Sequence, residues 1–302
     1  MTLIVIAGAT ATGKSELAVA LAKEIKGAIV NADSMQVYQG MDIGTAKLSL
    51  EEREGVDHFL LDLVDVKSDV TVSWYQEIAR AKVDELLGAG IPTIIVGGTG
   101  LYIKAILDDL NFPETDPTIR LKLTEESELI GGDAMHERLR KLDPAAAVAI
   151  PKENVRRVVR ALEVIEITGK PFTANLPRAD STKYPQAQQF GLELDRSKLD
   201  ARIDTRVEKM WSAGLVAEVE ALINQGLLAG RTAQAALGYS QIIAMGRGDI
   251  TEKQAVEATK IATRQYARRQ ETWFTRDSRI NWLAPAEKSV LLDRVLSRII
   301  KS

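Results

Sequence analysis

Near the start of the chain, Gly8-Ala9-Thr10-Ala11-Thr12-Gly13-Lys14-Ser15 has the residue types and spacing that hold paired phosphates. Glycines at 8 and 13 let the backbone take positive φ and approach an anion, while successive N–H groups and the start of a helix face one point. Lys14 adds a cation for the outer phosphates, and the Ser15 hydroxyl is a ligand for Mg²⁺. The run Leu3-Ile4-Val5-Ile6-Ala7 precedes the loop, and Leu17, Leu21 and Ile25 recur behind it at helical spacing, which predicts strand, loop, helix. A plain glycine turn before an amphipathic helix is the alternative; agreement at all eight positions and on both flanks argues against it. The loop specifies a diphosphate and leaves open the organic group attached to it.

Two further stretches carry chemistry at predicted strand ends. Asp33-Ser34 follows the buried strand candidate 28–32, and ligands of open α/β sheets bind at such ends. An aspartate there suits a general base, although an Asx-turn that merely caps the strand reads the same. The segment 35–47 has two glycines and no sustained period, and a loop that long is more often functional than idle. Thr93 to Val96 predicts another strand, running into Gly97-Gly98-Thr99-Gly100 and a helix from Leu101 to Leu107. This second glycine turn can face a polar substrate edge or be a simple strand-to-helix connection. Within the candidate strand His58 to Leu63 the apolar run ends in Asp62, which resembles a Walker B carboxylate and equally an ordinary acidic turn.

Two basic rows stand at helical spacing. Lys152, Arg156 and Arg160 are four apart, with Arg157 beside them; Lys260, Arg264 and Arg268 repeat the spacing near Arg269, Tyr266, Trp273 and Phe274. Residues four apart share a helix face, so each row is a line of cations. A solvated face is the bland explanation for one row; two arginine-rich rows favour contact with a phosphate backbone.

The elements that position these groups form an α/β pattern. A P-loop core with a parallel sheet, of nucleoside-kinase type, is expected over 1–112, a helical insertion punctuated by prolines over 113–185, and the rest of the core with C-terminal helices over 186–302. The helix predicted from Val72 stops at Gly88, and the strand rhythm resumes at Phe190 to Leu194, with Asp195-Arg196 at its end. Lysine and arginine number 39 against 42 acidic residues, a net charge of −3, so any nucleic-acid contact must come from local clusters. With no cysteine and two histidines far apart, a thiolate zinc site is excluded and a dedicated zinc site is not expected. No run approaches the roughly 20 apolar residues of a membrane span, and a cytoplasmic monomer is expected.

Together, the phosphate loop, the run 31–47, Val96 to Tyr102, Asn154 to Val164, Leu237-Gly238-Tyr239-Ser240-Gln241 and Ala262 to Phe274 resemble the bacterial tRNA dimethylallyltransferases, over nearly the whole chain and in the family's order. The run from Asp33 to Lys47 is far more specific than the loop. The resemblance implies transfer of a dimethylallyl group from dimethylallyl diphosphate to the exocyclic N6 amine of the adenine just 3′ of the tRNA anticodon, with Mg²⁺. By the match, Asp33 resembles the general base, Thr99 a hydrogen-bonding partner of the amine, and Arg206 a diphosphate-binding cation, while Gly8, Ala9, Thr10, Ala11, Thr12, Gly13, Lys14 and Ser15 form the diphosphate cradle. The tRNA-contacting stretches correspond to Asp33, Ser34, Met35, Gln36 and Thr99, to Arg120, to Arg156, Arg157, Val158, Val159 and Arg160, to 235–240 including Leu237, Gly238 and Tyr239, to Arg264, and to 268–275 including Arg268, Arg269 and Trp273. Departures are modest: Ala9 replaces a common proline, Ser15 a common threonine, Val56-Asp57-His58-Phe59 a Pro-His-His-Leu, and Ser240 and Thr275 stand where a basic residue is usual.

The chemistry is consistent with that assignment. An adenine amine is a weak nucleophile, so attack on an allylic carbon requires alignment, a carboxylate for the proton and neutralisation of the departing diphosphate. The base must also leave the anticodon stack, at a cost of a few kcal/mol. Three rival readings share the loop: a small-molecule P-loop kinase, a free-adenylate isopentenyltransferase, and a nucleotide-switched binding module. The first two need neither a long insertion nor two arginine rows, and a switch needs neither Asp33 nor Thr99.

Overall fold

The computed structural model describes residues 2–175 and 181–299; Pro177, one of the insertion's prolines, lies outside them. The strands are β1 (Leu3–Ala7), β2 (Ala28–Asn31), β3 (His58–Phe59), β4 (Thr93–Gly97), β5 (Gln188–Leu192) and β6 (Ile280–Leu283), joined as one parallel sheet in the order β3-β2-β4-β1-β5-β6. Helices follow in chain order: α1 (Lys14–Ile25), α2 (Val72–Gly88), α3 (Gly100–Leu107), α4 (Pro117–Ile130), α5 (Gly132–Leu142), α6 (Pro144–Ala149), α7 (Val155–Thr168), α8 (Arg196–Ser212), α9 (Leu215–Asn224), α10 (Tyr239–Gly246), α11 (Glu252–Phe274) and α12 (Lys288–Ile299).

The central strand β1 is apolar at every position because both faces of a parallel sheet are covered. Its residues alternate: Leu3, Val5 and Ala7 join one core with Tyr38, Tyr75, Tyr102 and Tyr239, while Ile4 and Ile6 join the other with Leu17, Leu21 and Phe190. β1 and β4 run in register from Leu3 opposite Thr93 to Ala7 opposite Gly97, so the phosphate loop and the second glycine turn leave the sheet at the same level. At Gly97 a Cβ would lie 2.1 Å from the Ala32 carbonyl oxygen, so only glycine lets the β4 end come this close to the β2 end.

The chain divides into two compact units, one of 1–107 with 184–302 and one of 108–183. The second is all helical over its regular elements, α4 to α7, around Leu123, Met135, Leu139, Val158 and Leu162. Asp143 caps α6 by accepting the Ala146 N–H at 2.9 Å, and its other oxygen takes the Thr173 N–H at 2.8 Å. Glu163, fully buried, accepts from Arg120 Nε at 2.9 Å, from an Arg160 guanidinium nitrogen at 3.0 Å and from the Asp116 N–H at 3.0 Å. Among the described residues, no helix is long and apolar enough to cross a membrane.

Three elements differ from the sequence-based expectation. The strand expected over 58–63 is only His58–Phe59, because Leu60 and Asp62 take left-handed φ of 65° and 55° and turn the chain away. The strand expected from Phe190 begins at Gln188 and stops at Leu192, and Asp195 instead caps α8 by accepting the Ser197 N–H at 3.0 Å. The edge strand β6, unexpected within a helical C-terminal part, pairs with β5 through four residues too few to show a period.

Candidate active site at the carboxyl ends of the strands

β1 delivers the phosphate loop, which turns through Gly8 (φ 143°), Ala11 (φ 63°) and Gly13 (φ 95°) before α1 begins at Lys14. The Thr12 hydroxyl donates to the Ala9 carbonyl at 2.9 Å, and Lys14 Nζ donates to the same oxygen at 2.5 Å. Removal of the Lys14 ammonium from water, reinforced by Arg206 and opposed by Asp33, pulls its pKa down to about 7. Burial also lowers Arg206, again against the pull of Asp33. The two cations and the Asp33 carboxylate thus lie within electrostatic reach of one another.

Asp33 is held by its own backbone. Asn31, buried at the end of β2, accepts the Asp33 N–H at 3.0 Å and donates Nδ2 to the Asp33 carbonyl at 3.1 Å and to Leu60 O at 3.0 Å. Asp33 Oδ1 takes the Met35 N–H at 2.9 Å, which fixes the carboxylate in an Asx-turn. Such a turn occupies one carboxylate oxygen and leaves the other free to accept. Thr99 Oγ1 accepts the Ser34 N–H at 3.1 Å, joining the β4 turn to the β2 end. Beneath them Tyr75 and Tyr102 stack with centroids 3.8 Å apart, and Tyr75 donates to Asn31 O at 2.6 Å.

Arg206 reaches the site from α8, which is fastened to α11. Arg264 Nη1 reaches both Asp204 carboxylate oxygens at 2.6 and 2.8 Å, Lys260 meets Glu208 at 2.8 Å, and Arg196 meets Glu271 at 2.9 Å. Beside Arg206 opens a cavity of about 1020 Å³, with Arg202, Lys209 and Lys47 among its cations and Ile43, Leu48 and Met210 among its apolar walls. Glu16, Asp42, Glu52 and Asp62 also line it, and Asp42 and Asp62 pair with Lys47, so its charge is mixed.

Several residues that the family resemblance puts against RNA are occupied elsewhere. Tyr239 is fully buried: its hydroxyl bonds to Glu218 Oε1 at 2.5 Å and its ring covers Gly44, so it faces the core. Val158 and Val159 are buried in the second unit, and Arg264 is engaged by Asp204. Arg120 and Arg160 share Glu163, and Arg160 also donates to Pro113 O at 2.7 Å. Arg156, Arg157, Arg268, Arg269 and Trp273 are exposed, and Ser34, Met35, Gln36 and Leu237 are half-buried. Gln36 Nε2 donates to Thr45 O at 3.1 Å, inside the loop, and Gly238 is buried at the start of α10. Asp62 pairs with Lys47 at 2.5 Å, which takes it out of the Walker B role.

Sequence reasoning missed Glu218, whose carboxylate gathers the N–H groups of Asp42 at 3.1 Å, Ile43 at 2.7 Å and Gly44 at 3.2 Å. An acidic residue some 175 positions away gives no local signal.

The family model of IPP transferases matches residues 36–277. The chain belongs to this family. It is 54% identical over 283 residues to a tRNA dimethylallyltransferase of Streptomyces avermitilis, covering 94% of this chain and 90% of that one. Identity to the tRNA dimethylallyltransferase of Thermobifida fusca is 53% over 303 residues, covering 99% and 94%. Among solved structures, the tRNA isopentenylpyrophosphate transferase of Staphylococcus epidermidis superposes with a TM-score of 0.72 at 35% identity, covering 99% of each chain. A eukaryotic dimethylallyltransferase captured acting on tRNA gives 0.80 at 27% identity, covering 95% of this chain and 75% of that one. These likenesses make the chain a transferase with a P-loop-like α/β fold and favour none of the rival readings.

Proposed function

We propose that this IPP transferase family member moves a dimethylallyl group from dimethylallyl diphosphate to the N6 amine of the adenine 3′ of a tRNA anticodon, a reading that implies a cytoplasmic enzyme. The observation that carries the proposal is the convergence of Lys14, Arg206 and Asp33 at the sheet's carboxyl edge. The Asp33 carboxylate takes the amine proton as the new N–C bond forms. The allylic C–O bond breaks, and the diphosphate leaves with the electron pair, its charge met by Lys14, Arg206 and the loop N–H groups.

Mg²⁺ fits the chemistry of the donor set. No group of three or more acidic or histidine side chains gathers among the described residues, and Mg²⁺ commonly takes one or two protein ligands plus phosphate oxygens and water. Ser15, at the start of α1, would hold it, and the ion would supply charge neutralisation on the diphosphate. In tRNA contact, exposed Arg156, Arg157, Arg268 and Arg269 supply phosphate-pairing cations.

The test incubates the protein with radiolabelled dimethylallyl diphosphate and, in parallel, unmodified tRNA, AMP and ATP. Label in tRNA alone is expected; label in AMP would make it a free-adenylate enzyme, and no label in any acceptor would contradict the proposal.

A further inference from the structure

Gln270 stands within a segment that the family resemblance assigns to RNA contact, yet it is only 5% exposed and faces inward from α11. Its Oε1 accepts the Thr10 N–H at 2.9 Å, and its Nε2 donates to the Gly98 carbonyl at 2.8 Å. The two partners fix the orientation of the amide, since an N–H can only donate and a carbonyl only accept. Thr10 belongs to the phosphate loop, and Gly98 immediately precedes Thr99, whose hydroxyl holds the Ser34 N–H beside Asp33. A single side chain therefore bridges the donor cradle and the turn on the acceptor side.

The fit is close on every side. A Cβ at Gly98 would come within 2.2 Å of Gln270 Nε2, so the glycine leaves room for the amide. One helical turn earlier, the Tyr266 hydroxyl faces the side chains of Thr99 and Gln270. One turn later, Trp273 lies against Gly100, where a Cβ would meet its ring at 2.2 Å. A neutral amide also suits the place: a carboxylate there would face both the Gly98 carbonyl and the incoming diphosphate. Because the Thr10 N–H is already engaged, its part is to hold the loop's shape for the neighbouring N–H groups.

We propose that Gln270 is a positioning residue that sets the phosphate loop and the Gly98-Thr99 turn at a fixed separation, so that the donor carbon and the acceptor amine meet in line. The inference rests on the transferase reading above. The bridge acts on geometry in the transition state and on the donor cradle; the exposed arginines Arg268 and Arg269 on the same helix remain available to RNA.

The experiment measures kcat, the KM for dimethylallyl diphosphate and the tRNA dissociation constant for wild type, Gln270→Met, Gln270→Ala, Gly98→Ala and the double variant Gly98→Ala/Gln270→Ala. Gln270→Met keeps the volume and removes both hydrogen bonds. It is expected to lower kcat by about tenfold or more, as small misplacements do, and to raise the donor KM while leaving tRNA affinity unchanged. Gly98→Ala displaces the amide, so the double variant should be no slower than the slower single variant. Wild-type kcat and donor KM in both Gln270 variants would overturn the inference, as would losses that multiply in the double variant. Should Gln270→Ala fail to fold, the isosteric Gln270→Met decides alone. A wild-type protein that leaves tRNA unlabelled would instead contradict the proposed function.

Discussion

Lys14 is the residue whose charge state depends most on what the site holds. Its pKa near 7, set first by desolvation, lies far below the ordinary 10.5. A lowered lysine costs folded-state stability below pH 7, and that cost fades as pH rises from 7 toward 10.5. A diphosphate beside it reverses the shift, so the bound lysine is protonated. At pH 8, donor binding should therefore take up a large fraction of one proton, and affinity should weaken as pH rises above 7. Titration calorimetry in HEPES and in Tris checks this: the apparent enthalpy should differ between buffers, and equal enthalpies would contradict it. The phosphate loop was legible because its eight positions are contiguous. The lowered pKa of Lys14 was not, since it depends on burial and on the charge of Arg206 from a helix nearly two hundred residues later.

The helices divide the basic rows into structural and exposed cations. On α7, Arg160 is bound to Glu163 and to Pro113 O, whereas Arg156 and Arg157 are exposed. Replacing Arg156 and Arg157 with alanine should flatten the salt dependence of tRNA affinity, because fewer counterions are released. Adding Arg160→Ala should change the slope little and lower stability; filter binding against salt, with melting curves, separates the effects. Glu163→Ala leaves the Asp116 N–H and two partly exposed guanidinium groups without their shared acceptor and should cost about 1–3 kcal/mol in urea unfolding, and no measurable loss would contradict a structural role. The four-residue spacing was readable in the sequence, but which arginines face carboxylates was not. Helical period shows a face, and the partners Glu163 and Asp204 become neighbours only through packing. The motif around Tyr239 shows the same limit: its glycine and tyrosine carry the family pattern, while the burial of Tyr239 over Gly44 is set by Glu218 on α9. Gly44→Ala would push a Cβ to within 2.3 Å of the Tyr239 ring and should raise the donor KM by disturbing the loop that walls the cavity.

At the scale of the whole molecule, two units with their own cores share one chain, and the helical unit carries exposed Arg156 and Arg157 while the sheet unit carries the phosphate loop and Asp33. Replacing 108–183 with a short linker should leave diphosphate binding in place and remove most tRNA affinity; loss of both would contradict separate folding. The alternation of apolar strands and helices made the sheet unit readable, whereas the four-residue strand β6 and the joining of α8 to α11 by three ion pairs depend on contacts far apart in sequence. In the proposed reaction Asp33, held just past the end of β2, takes the proton from the acceptor amine. Single-turnover transfer by Asp33→Asn, with tRNA affinity measured on the same preparation, tests it most directly. The expected result is a fall in rate of about 10²–10⁴-fold with tRNA binding held within a few fold, and an unchanged rate would contradict the account.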